Sequence, residues 1–204
     1  MIKRHNVYVG ILNTFMVLGG VDYSLCGPSI CIYNGTGEKF LFRDCTFYFL
    51  TDTKKFATYF GTNIIGENFE DFNHEIERYQ SIADWGLEVL MGCEHVAIEG
   101  YAYSALSNRI FQIAENTGLL KYKLFQLGIP VTVVSPTEVK KFATGKGNAD
   151  KASVYSFFEA ETNAGLKSLF YPSNAPREIG NPISDIADSY FICKHLFTKI
   201  KESL

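Results

Sequence analysis

No CxxC pair links the five cysteines, Cys26, Cys31, Cys45, Cys93 and Cys193, and no HxxxH or Cys/His spacing links the four histidines. A zinc site therefore has little support. The cysteines lie mostly among strand-like or helical apolar residues, as reduced thiols buried in a core do, which points to a reducing cytosol. Low-complexity tracts and internal repeats are also missing, which leaves no case for disorder away from the ends or for a solenoid. No apolar run is long enough to span a membrane. The net charge of −3 shows no overall basic excess, so any affinity for nucleic acid must come from local patches.

What is present fits one domain of 204 residues, long enough to build a full core without disulfides or structural metal. Lys3-Arg4-His5 followed by the run from Val7 to Val21 imitates a signal peptide loosely. Asn13 and Thr14 interrupt that run, no A-x-A-like site follows, and cleavage there would destroy the strand ahead of Asp22. Residues 1–16 are thus expected to be an extension or an extra strand, with the main domain over 17–204.

Val17 to Tyr23 reads as a buried strand, Pro28 to Tyr33 as an alternating one, and Lys39 to Leu50 as a long aromatic one, with Asn34-Gly35-Thr36-Gly37 as the turn. From Phe69 the period changes: Phe69, Phe72, Ile76, Tyr79, Ala83, Leu87 and Leu90 mark one face of a long helix. Glu94 to Glu99 is a short buried strand, Ser104 to Leu127 a second long helix, and Ile129 to Val134 another strand. Pro136 starts a helix after Ser135, Gly145-Lys146-Gly147-Asn148 breaks it, and Ala149 to Glu161 resumes it. The last helix begins at Ser184, with Ile186, Tyr190, Cys193, Phe197 and Ile200 as its buried stripe and Asp185 and Asp188 on an adjacent face. The order βββ-α-β-α-β-α predicts a ribonuclease H-like α/β fold. Its core is a central mixed five-stranded sheet, three antiparallel strands first, with helices on both faces.

Four acids carry the chemistry. Asp22 and Glu99 close apolar, β-branched runs, and Asp185 and Asp188 stand three apart near a helix start. Singly, each is an ordinary strand-end or first-turn acid. Jointly, their order and element types bring them to one sheet edge, where mutual repulsion calls for divalent cations. Two Mg²⁺ ions about 3.5–4 Å apart, or Mn²⁺ in their place, would activate a water and stabilise the leaving oxygen of a phosphodiester.

The segments Gly20-Val21-Asp22-Tyr23-Ser24, Ile98-Glu99-Gly100-Tyr101, Val139-Lys140-Lys141 through Gly145-Lys146-Gly147-Asn148-Ala149-Asp150-Lys151, and Asp185-Ile186-Ala187-Asp188 resemble the RuvC family of Holliday junction resolvases, most closely its bacteriophage and viral versions. The resemblance implies a homodimeric, magnesium-dependent endonuclease acting on four-way DNA junctions in the cytoplasm, the host's if the protein is viral. It places Asp22, Glu99, Asp185 and Asp188 on the metals, and Lys140 and Lys151 near the scissile DNA. Lys141 and Lys146 are further expected DNA contacts. Bacterial members carry a base-stacking phenylalanine after the sheet glutamate; here Tyr101 and Tyr103 stand there, and both are candidates.

The charge distribution suits this. Six lysines face two acids between residues 121 and 151, whereas five acids face Arg78 alone between 67 and 78. The second helix, with Phe111 and Phe125 beside its core stripe, is the expected dimer face. Alternatives are a non-catalytic branched-DNA-binding or scaffold protein and a nuclease for forks and flaps. An ATP-binding protein of the actin and hexokinase type would need a duplicated half, for which the chain has no room.

Overall fold

The structure, a computed structural model, describes residues 15–101, 109–173 and 178–203. Residues 1–14 of the expected extension and Tyr103 lie outside the described residues, while Met16 already belongs to the first strand. Among the described residues, no helix is long and apolar enough to cross a membrane.

The strands are β1 (Met16–Asp22), β2 (Ser29–Gly35), β3 (Cys45–Thr51), β4 (Tyr59–Phe60), β5 (Ile64–Asn68), β6 (His95–Glu99) and β7 (Val131–Val134). The helices are α1 (Glu75–Leu90), α2 (Arg109–Gln126), α3 (Pro136–Thr144), α4 (Lys151–Thr162), α5 (Leu166–Phe170) and α6 (Ile183–Ser203). The strands form one sheet in the order β4-β5-β3-β2-β1-β6-β7. The first three pair antiparallel, and β6 joins β1 in parallel. This is the mixed α/β class expected, with seven strands instead of five because β4 and β5 extend the far edge.

Alternation along β1 sorts its side chains between two cores. Leu18 joins the core beneath α3, α4 and α6, where Phe47, Phe158, Tyr190 and Phe191 are also buried. Val21 joins the core under α1 and α2, with Ile82, Leu90, Leu120 and Leu124. The two adjacent glycines permit close helix approach on both faces: Gly19 lies under Leu90 of α1, and Gly20 lies against the backbone of Cys193 in α6. β6 alternates likewise, with Ala97 in the α6 core and Val96 and Ile98 in the other. Asp22 and Glu99 continue the Leu18 and Ala97 series, so both fall on the α6 face.

Two described boundaries differ from the sequence reading by more than two residues, and β2 runs on through Asn34 and Gly35 of the expected turn. Helix α1 starts at Glu75, not Phe69, because His74 and Glu77 form a reciprocal capping box. Phe69 and Phe72 instead lie over the Arg78 guanidinium, whose Nη2 donates to the Leu25 carbonyl in the β1–β2 loop. The expected strand from Lys39 shortens to β3, since Phe42–Asp44 form a 3-10 turn. Phe40 and Phe42 fold from that stretch onto Tyr190.

Candidate active site

Strand β1 delivers Asp22 at its last residue, β6 delivers Glu99 at its last residue, and the two strands pair in parallel with Val21 opposite Ile98. The two acids therefore stand side by side at the carboxyl edge of the sheet, a common place for ligand sites in α/β folds. Helix α6 crosses that edge and presents Asp185 and Asp188 from one side of its first turns. One carboxylate oxygen from each of Asp22, Asp185 and Asp188 lies within 4.8 Å of the others. Glu99 stands outside this trio but lines the same cleft of about 450 Å³, together with Lys140 and Lys151.

Asp185 is the most enclosed of the acids, at 3% exposure. Its Oδ1 accepts from the Ser184 hydroxyl at 3.0 Å and meets Lys151 Nζ at 3.5 Å. Its Oδ2 has no hydrogen-bond partner and faces the backbone of Gly27, where a Cβ would crowd it. An orphaned, buried carboxylate oxygen beside two further carboxylates suits a hard divalent cation such as Mg²⁺ or Mn²⁺. The observed set is all oxygen, with no histidine or thiolate to favour a softer metal.

The electrostatics agree. Burial, then repulsion from Asp185, Asp188 and Glu99, pushes the Asp22 carboxyl well above its usual value. Burial, then Asp188, raises Glu99 to about 7. Burial raises Asp185 and Asp188 to about 6 each, against the opposing pull of Lys151. Burial works against a charged Lys151, but Asp185, Asp188 and Asp22 outweigh it and hold its pKa up. Lys151 is thus the cation built into an otherwise overcrowded anionic pocket.

The two short helices place the lysines by their caps. Ser135 caps α3 with Pro136 at its first position, and left-handed Gly145 ends it, which brings Lys140 into the cleft. Asp150 caps α4, so Lys151 begins the helix at the cleft wall. Lys141 points to solvent, and Lys146 borders a neighbouring cavity with Asn148 and Phe157. Neither lines the acidic cleft. Tyr101 does, but its hydroxyl donates to the Ala114 carbonyl and Lys121 Nζ sits 5.5 Å from its ring centre, so the ring is folded onto α2. The sequence reading missed Ser184, which bridges Lys151 and Asp185, and Asn181 beside it: Lys151 donates to Ser184 Oγ at 3.3 Å, and Asn181 Oδ1 lies 3.3 Å from the same hydroxyl. Their only sequence signal is adjacency to Asp185.

No family model matches the sequence. Among solved structures, Thermus thermophilus RuvC is 20% identical over 92% of this chain and 97% of its own, with a TM-score of 0.57. T. thermophilus RuvC in complex with Holliday junction substrate is 19% identical over the same shares, with a TM-score of 0.60. A yeast mitochondrial Holliday junction resolvase is more distant, at 14% identity and a TM-score of 0.49. With the sheet order, the helices on both faces and the two T. thermophilus RuvC neighbours, the chain has the ribonuclease H-like fold that RuvC also has.

Proposed function

We propose that this protein is a divalent-metal-dependent endonuclease for branched DNA, with four-way junctions as its main substrate. The observation that carries the reading is the convergence of Asp22, Asp185 and Asp188 carboxylates within 4.8 Å, with Lys151 held against Asp185. The resemblance of the surrounding motifs to phage-type RuvC resolvases points the same way. So does the RuvC fold, solved elsewhere with Holliday junction substrate.

Asp22, Asp185, Asp188 and Glu99 would hold Mg²⁺ or Mn²⁺, which supplies an activated water and charge neutralisation at the leaving oxygen. Lys151, already cationic, would face the scissile phosphate and stabilise the charge that develops on it. Lys140 would fix the DNA backbone across the cleft, with Lys141 and Lys146 as outlying phosphate contacts. Tyr101 is a base-stacking candidate only through the ring face not covered by Lys121. A homodimer through α2 would present two such clefts to paired strands of a junction.

Cleavage of labelled four-way junction, Y-fork and linear duplex DNA, with Mg²⁺ or EDTA, tests the proposal. Paired symmetric nicks in the junction, lost with EDTA and reduced at least about a hundredfold by Asp22→Asn, are the expected result. Asp22→Asn should still bind the junction. Junction binding by the wild type without any cutting would replace the nuclease reading with a scaffold one.

A further inference from the structure

Lys140 reaches the cleft from α3, a helix of nine residues in which Val139 alone is fully buried. Phe142 and Ala143 pack half-buried against the same core, so the roll of this short helix about its own axis is set by few contacts. Among the described residues, one polar side-chain contact joins α3 to another helix: His195 Nε2 of α6 lies 3.3 Å from Glu138 Oε1. Phe142, one turn beyond Glu138 on the same face, sets its ring edge-on to His195 at 5.2 Å and 84°. His195 is buried at 4% exposure and is therefore fixed by its surroundings. Glu138 and Lys140 are about 200° apart around the helix, so pinning one side of α3 to His195 aims the other side at the cleft. His195 also lies about two turns beyond Asp188 on α6, so one helix carries the acids and the anchor that faces the opposing lysine towards them.

We infer that Glu138 and His195 are positioning residues that hold Lys140 over the acidic cleft, an inference that rests on the nuclease reading above. Neither touches the reacting atoms. They act through Lys140, whose positive charge already draws on Glu99 and Asp188. Roll of α3 would carry that ammonium away from the DNA backbone while leaving the metal-binding acids in place.

The test is a double-mutant cycle read by single-turnover nicking and by equilibrium binding of a labelled four-way junction in EDTA. Glu138 is half exposed, so Glu138→Ala should fold normally, with melting temperature as the check. Glu138→Ala is expected to slow nicking and weaken binding about threefold to tenfold in the wild-type background, and to have no further effect in Lys140→Ala. Glu138→Gln, which keeps an oxygen within reach of His195 Nε2, should restore most of the loss, and His195→Phe should repeat it. A wild-type rate and affinity in Glu138→Ala, or losses that multiply in the Glu138→Ala/Lys140→Ala protein, would overturn the inference while leaving the nuclease intact. A wild type that neither nicks nor binds any branched DNA would overturn both.

Discussion

Gly20 of β1 lies directly against the backbone nitrogen of Cys193 in α6, so strand and helix meet main chain to main chain. That contact sets how near α6 comes to the sheet, and hence how near Asp185 and Asp188 come to Asp22. Any side chain at position 20 must push against backbone, which cannot rotate away.

Gly20→Ala should therefore destabilise the fold by about 1–3 kcal/mol through overpacking. On the proposed reading the wild type should melt higher with Mg²⁺ or Mn²⁺, and Gly20→Ala should abolish that rise. Gly92→Ala, just beyond α1 and off the α2 face, is the control with the opposite sign. Nothing lies within 4 Å of a Cβ there and its φ is not left-handed, so it should stabilise by about 0.4–1 kcal/mol. Thermal melts with and without metal check both.

The raised carboxyl groups predict an unusual dependence of stability on pH without metal. Asp185 and Asp188 rise from 3.8 to about 6, and Glu99 from 4.5 to about 7. Through this window the folded chain binds more protons than the unfolded one, so stability is full below the unfolded values and falls as pH rises through the folded ones. In EDTA the melting temperature should drop from pH 4.5 to 7.5. Saturating Mg²⁺ should counter the drop by replacing the protons, and Asp188→Asn should reduce it. A flat EDTA profile would contradict the crowding of acids described above.

The outer face of α2 exposes Phe111 at 70% and Phe125 at 78%. If α2 is the dimer face, Phe111→Glu with Phe125→Glu should turn a dimer into a monomer in sedimentation velocity. The same change should convert paired junction nicks into single ones. A wild type that sediments as a monomer would count against the assignment.

Asp22 and Glu99 could be placed at one sheet edge from the sequence because each closes a strand-like apolar run, whereas their shared face follows from the pairing of Val21 with Ile98 in the structure. The setting of Asp185 and Asp188 was harder. The stripe through Ile186, Tyr190 and Cys193 was correct, yet α6 buries Ser184, Asp185 and Ser189 as well, so an amphipathic pattern understates its enclosure. β4 and β5 escaped notice because they are short runs, Tyr59–Phe60 and Ile64–Asn68, around a glycine turn. The start of α1 was misplaced because Phe69 and Phe72 keep helical spacing while serving the Arg78 side chain instead. Lys141 and Lys146 share a motif with Lys140 and Lys151, but the roll of α3 and the left-handed Gly145 that ends it turn them from the cleft, and of these only the helix end is legible in the sequence.

Asp22 and Asp188 are brought together from opposite ends of the domain, one on the first described strand and the other on the last described helix. No fragment ending before α6 contains the acidic trio. On the proposed reading, a chain whose α6 has come undocked cannot cut DNA, because two of its three clustered carboxylates leave with that helix. Docking of the last described helix and assembly of the site are thus a single event.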